Sequence, residues 1–106
     1  MGETLSELSD RLAQVSDVYA QRTGIVRDDD WYVLKLQEEA GELVAEHLRL
    51  TGRGRLRDGG KAAALAARDD EAADLFAMVV LYCRHNGIDL ETALARKWFR
   101  HLESPP

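Results

Sequence analysis

Cysteine is almost missing from this chain of 106 residues: Cys83 stands alone. One thiol excludes an intrachain disulfide and any cysteine-based zinc site, leaving a small buried hydrophobe as its plainest role. No long hydrophobic run is present either. The nearest approach, Leu75 to Cys83, is far too short to span a bilayer. The N-terminus lacks the basic start and apolar core of a signal peptide, so a cytoplasmic protein without a membrane partner is expected. An excess of positive charge is also absent. The net charge of −5 argues against a general nucleic-acid binder, whose phosphate contacts need a basic surface. Nor is there room for a second core, so residues 1–106 are expected to be one domain. What the chain does have is apolar side chains, 45% of the total, enough to pack an interior.

Those apolar residues fall at helical spacings. Leu5, Leu8, Leu12, Val15 and Tyr19 predict an amphipathic first helix stopped by Gly24. Asp28, Asp29 and Asp30 offer caps for a second helix over about Trp31 to Leu50. Thr51 to Gly60, with four glycines, reads as a loop, and the alanine-rich Lys61 to Ala67 as a helical turn or two. A third helix is expected from Asp69 or Asp70 to Asn86, apolar almost all round and therefore central. Asp89 caps a fourth, carrying Leu90, Leu94, Trp98 and Leu102, and Ser104 to Pro106 end it. The expected fold is all-α, a four-helix bundle. So small a domain would readily bury more surface by pairing with its own copies.

Four acids conflict with this pattern. With Glu39 at angle zero, Leu36, Ala40, Leu43 and His47 define a buried face at roughly 40° to 100°, and Glu42 and Glu46 lie along its margin. His47 on that face reads as a core histidine. On the third helix Glu71 and Asp74 fall inside the sector of Leu75, Met78, Leu81 and Tyr82. Carboxylates three apart on each of two helices can converge on one centre. Partly buried and ionised, they repel unless a cation joins them. No lysine or arginine interleaves the third helix before Arg84, so a hard divalent cation with oxygen ligands is the natural partner. An EExxE run alone is usually only a solvated face; the second pair in an apolar helix is what argues for a metal or phosphate site.

LQEEAGELVAE at Leu36 to Glu46 and EAADLFAMVVLY at Glu71 to Tyr82 resemble the two halves of the ExxE…ExxD signature of the all-alpha nucleotide pyrophosphohydrolases. That superfamily includes the MazG proteins, dCTP pyrophosphatases, dimeric dUTPases and phosphoribosyl-ATP pyrophosphohydrolase. Glu39 and Glu42 match the first pair, Glu71 and Asp74 the second, with 28 residues between Glu42 and Glu71. GIDLETALARKWFRHLE resembles the family's last helix, where Lys97 and Arg100 match residues that face phosphates, although His101 replaces a common asparagine. EAADL is close to the phosphoribosyl-ATP branch as well, but Phe76-Ala77-Met78 departs from its tyrosine-histidine pair. The MazG-like branch is the better match. The resemblance implies Mg2+, or Mn2+, on Glu39, Glu42, Glu71 and Asp74. It also implies hydrolysis of an NTP or dNTP between its α and β phosphates, and a homodimer or homotetramer. The chemistry agrees, since a polyanionic triphosphate resists water until its charge is neutralised. Glu38 or Glu39 is the expected base, and the sequence does not choose between them.

Trp31 is a candidate for stacking on a base, and Lys35, Lys97 and Arg100 for meeting the rest of the substrate. Trp98 reads as core or interface instead. Arg49 to Lys61 carries five basic residues against Asp58, so this stretch is +4 while the remainder is −9. Arg53, Arg55, Arg57 and Lys61 within it read equally as a phosphate lid or as a solvated loop. The GRGRLRDGGK stretch is no P-loop, because Ala62 follows Lys61 and no strand precedes it. In a contrasting reading the chain is a non-catalytic helical interaction module whose acids are structural.

Overall fold

The computed structural model describes residues 2–56 and 58–104. Thr4 opens the first helix, α1 (Leu5–Thr23), through a reciprocal cap: its hydroxyl accepts from the Glu7 N–H at 3.1 Å and the Glu7 carboxylate accepts from the Thr4 N–H at 3.3 Å. Gly24 closes it at φ 71°, a conformation only glycine adopts without strain. Asp28 caps α2 (Asp29–Leu50), accepting from the backbone of Asp30 and Trp31. Asp89 caps α4 (Leu90–Lys97) in the same way through Thr92. Four α-helices and no strand appear among the described residues, as the periodicity predicts.

The third helix departs from expectation at its start. α3 runs Gly60–His85, about nine residues longer at its N-terminus than the charge pattern suggests. No side chain caps it. Gly59 turns the chain in at φ 93°, where a Cβ would stand 2.8 Å from Ala63, and the alanines beyond carry the helix on propensity. The loop is therefore only 51–59, and Lys61 to Ala67 belong to α3 rather than to a separate turn.

α2 and α3 form an antiparallel hairpin. Its open end is tied by His85 at the end of α3, whose Nε2 lies 2.9 Å from Asp29 and whose ring stacks on Tyr32 at 4.4 Å. α1 lies against α3, and Tyr32, Met78 and Leu81 centre the core they share with Leu12, Leu36 and Tyr82. α3 is thus central, as its composition predicts. It is not fully covered: Phe76 is half exposed.

The fourth helix does not complete a bundle within the chain. It ends at Lys97, and the backbone tightens into a 3-10 turn, Phe99–Leu102; the two pack on each other rather than closely on α2 or α3. Trp98 is 65% exposed and Leu102 83%, so the stripe expected to bury them is open. The radius of gyration, 16.7 Å, exceeds the ~13 Å of a compact domain of this length. Pro105 and Pro106 lie outside the described residues, as does Arg57. No helix among those described is long and apolar enough to cross a membrane.

Candidate functional site

The inward edge of α2 is Tyr32, Leu36, Glu39, Leu43 and Glu46, in alternating steps of four and three. The acids occupy the middle of this face rather than its margin, with Glu39 7% exposed and Glu46 4%. His47, expected inside, is exposed instead. An edge centred on Glu39 and Glu46 turns the next residue about 100° away.

Glu39, Glu42 and Glu71 bring carboxylate oxygens within 4.8 Å of one another, joining α2 to α3. Glu39 is buried, Glu71 half-buried and Glu42 open to solvent. Among the described residues the cation paired with Glu39 is Lys35, whose Nζ is 3.6 Å from Oε1 and is shared with Glu38 at 3.2 Å. Oε2 of Glu39 and Oε2 of Glu71 are both sealed from solvent without a hydrogen-bond partner. An unpartnered buried carboxylate oxygen is costly, and two on acids of one cluster call for something that binds there.

The protonation of the cluster tells the same story. Burial pushes the Glu71 carboxyl up to about 7, reinforced by contact with Glu42 and by the negative charges of Asp74 and Glu39. Glu39 is also raised, by burial, then by Glu42 and Asp74, against the opposing pull of Lys35. Ionised carboxylates are acceptors only, so two in contact need a proton or a cation between them. An all-oxygen donor set of this charge suits magnesium or manganese.

Beside the acids a groove of about 380 Å3 runs between α1, α2 and α3. Lys35, Glu39 and Asp74 form its polar end; Trp31, Tyr19 and Met78 contribute to an apolar remainder. Asp74 thus stands at the groove wall, exposed, where its charge reaches both Glu39 and Glu71. The expectation that it would lie off any solvated stripe is not met, since Asp74 is exposed together with Ala72 and Ala73 before it. Trp31 lines the groove, braced edge-on by Tyr32 at 5.0 Å. Glu38 points outward to Lys35 and is not in the three-acid cluster. Lys97 and Arg100 lie on α4 and the 3-10 turn after it, exposed and away from the helices that carry the acids. Arg53 and Arg55 are exposed at the hairpin tip, and Lys61 is exposed on the first turn of α3.

Sequence reasoning assigned Tyr19 and Met78 to packing alone and did not find the groove. A faint signal was present: Leu12, Val15 and Tyr19 repeat at helical spacing beside the polar Ser16, whose hydroxyl accepts from Arg27 at 2.8 Å. No family model, curated protein or solved structure matches this chain.

Proposed function

We propose that this chain is a MazG-like nucleotide pyrophosphohydrolase. In this reading it converts a nucleoside triphosphate, ribo or deoxy, to the monophosphate and pyrophosphate, as housecleaning of the cytoplasmic nucleotide pool. One observation carries the reading: Glu39, Glu42 and Glu71 converge with two buried oxygens unpartnered. Those three acids would hold the metal, with Asp74 as the fourth acid at the groove wall. Bound there, magnesium supplies neutralisation of the phosphate charge and a more acidic water.

The residues of the chain divide the remaining work. Trp31 and the apolar wall receive the base, whose flat face needs area rather than charge. Lys35 is the cation among the described residues at the polar end of the groove and meets phosphate oxygens there. Glu39, through the carboxylate oxygen that does not hold the metal, takes the proton as a water oxygen bonds to the α-phosphorus. Pyrophosphate leaves with the electrons of the α–β bond. Glu38 orients Lys35 rather than accepting the proton. The uncovered apolar residues favour association of two or four copies.

The test is pyrophosphate release from a panel of nucleotides with magnesium or manganese, a phosphoribosyl nucleotide included. Pyrophosphate from at least one substrate is expected. Orthophosphate alone, or no product at all, sinks the assignment. The helical interaction module predicts in addition that neither metal raises the melting temperature.

A further inference from the structure

α1 is an amphipathic helix, yet among its 19 residues the buried one is a serine, Ser16. Ser16 lines the groove beside Trp31, among Leu12, Val15, Met78 and Leu81, whose side chains offer a ligand no hydrogen-bond donor. A buried hydroxyl needs its hydrogen bonds met. Within a helix it usually meets them by donating to the carbonyl four residues back, as Thr23 does to Tyr19 at 2.8 Å. Ser16 does not. Among the described residues its hydroxyl makes one hydrogen bond, accepting from the Arg27 guanidinium at 2.8 Å. Arg27 is not a groove residue. It lines a separate polar cavity of about 260 Å3 with Asp17, Tyr32 and His85, and its second guanidinium nitrogen pairs with Asp17 at 2.9 Å.

The guanidinium fixes the role of the hydroxyl. Its N–H occupies one lone pair of Oγ, and its positive charge makes that oxygen a poor acceptor for a second donor. What remains is the O–H, a donor without a partner on the apolar stretch of the groove. The other candidates there are disposed differently. The Trp31 N–H lies in the plane of its ring and cannot meet a base stacked on the ring face. Tyr19 is half exposed and within electrostatic reach of Lys35, toward the polar end.

We propose that Ser16 reads the base of the substrate, and that this base carries an oxo group where adenine and cytosine carry an amino group. The inference rests on the reading of the groove as the seat of a base. Guanine, hypoxanthine, uracil and thymine present such a carbonyl oxygen, which accepts from the Ser16 O–H. An amino group in its place sets donor against donor and leaves the buried hydroxyl unsatisfied, which is how a site built for one hydrogen bond rejects an analogue. Arg27 is a positioning residue, which touches no substrate and acts by holding the serine as a donor.

Nucleosides test this without metal or phosphate. Inosine against adenosine, and uridine against cytidine, are pairs matched in ring size that exchange an oxo for an amino group at one edge. Binding to the full chain in chelator is followed by NMR titration, which reads weak affinities. In the pair whose ring the groove accepts, the oxo nucleoside should bind about tenfold tighter. Ser16→Ala should bring that ratio to within about twofold by weakening the oxo nucleoside alone. Ser16→Cys, close in shape and a weak donor, takes its place if helicity by circular dichroism falls. Arg27→Met should lower the ratio as well, because the released hydroxyl can turn to the Leu12 carbonyl. An unchanged ratio in Arg27→Met removes its positioning role. Equal binding within both pairs, preference for the amino members, or an oxo preference that survives Ser16→Ala overturns the role of Ser16. A wild type that binds none of the four nucleosides does the same. Pyrophosphate release in the nucleotide panel is scored separately: release that persists beside a flat ratio removes this inference and leaves the reading of the acids standing.

Discussion

Glu39 and Glu46 sit two turns apart on the same face of α2, and both are buried, yet their surroundings differ in kind. Glu46 is met by the Arg49 guanidinium three residues on, the ordinary way to keep an ionised carboxylate inside a protein. Glu39 faces two more acids and shares a distant lysine with Glu38. One acid has a guanidinium close by, and the other has only a lysine shared with Glu38. A neutralised acid can stay buried on α2 without a ligand; an acid gathered with its own kind keeps open a place for one, at some cost to stability.

The largest expected effect sharpens this contrast through activity. Glu42→Gln and Asp74→Asn should each lower magnesium-dependent turnover by about a hundredfold or more while the fold stays intact. Without metal the melting temperature of either variant should be unchanged or higher, because one member of a repelling cluster has been removed. Full turnover together with a lowered melting temperature would make the cluster structural after all.

Glu46→Gln should behave the opposite way. It strands Arg49 in a partly buried place and should cost about 2–3 kcal/mol, a fall of some ~10 °C or more in melting temperature. The folded fraction should keep its metal-dependent turnover. Equal stability of Glu46→Gln and wild type would break the contrast from the other side.

Magnesium itself gives the next effect. At a hundred times its dissociation constant a ligand bound only by the native state adds about 2.7 kcal/mol. The melting temperature of wild type should rise accordingly, that of Glu42→Gln hardly at all, and that of Glu46→Gln by as much as wild type. A uniform rise in all three proteins would mean that the ion binds elsewhere.

The smallest effect is a trend with pH. Glu71 titrates near 7 in the folded protein, above the ordinary glutamate value of 4.5. A raised carboxyl favours the native state below its unfolded pKa, and that contribution is lost as pH rises through the folded value. In chelator, stability should therefore fall from pH 5 to pH 8, and Glu71→Gln should flatten the curve. With magnesium present the slope should reverse in that window, since the metal needs the ionised acids. A chelator curve that rises with pH would contradict the protonated cluster.

Much of this arrangement was legible in the sequence, and its omissions have physical causes. The pairing of Glu39 and Glu42 with Glu71 follows from spacing and order, because i,i+3 acids share a helix face wherever the helix packs. The position of His47 misleads because the inward face was judged by its apolar members, whereas this face is built around acids. The start of α3 is hidden because Gly59 caps it without a side chain, leaving the alanine run without a boundary signal. The groove could not be read at all, since Tyr19, Trp31 and Met78 come from three different helices. Trp98 and Leu102 repeat at a spacing that reads as a buried stripe, yet both are exposed, because spacing marks a face without saying whether anything packs on it.

The hairpin also turns the interval between the two acid pairs into a ruler. Of the 28 residues separating Glu42 from Glu71, eight climb α2 (43–50), nine form the tip (51–59) and eleven descend α3 (60–70). At 1.5 Å per helical residue the acids lie about 12–16 Å beneath the tip. The length of the interval therefore records depth, not the identity of the residues between. Seven residues added across the two limbs, about one turn in each, would raise the tip by some ~5 Å and leave all four acids facing as they do now. Two residues added to one limb would swing that limb's outer turns by about 200° relative to the acids and leave the tip out of line with its partner. Variation in this stretch should thus be tolerated in steps of a turn, with the loop free to differ in both length and charge.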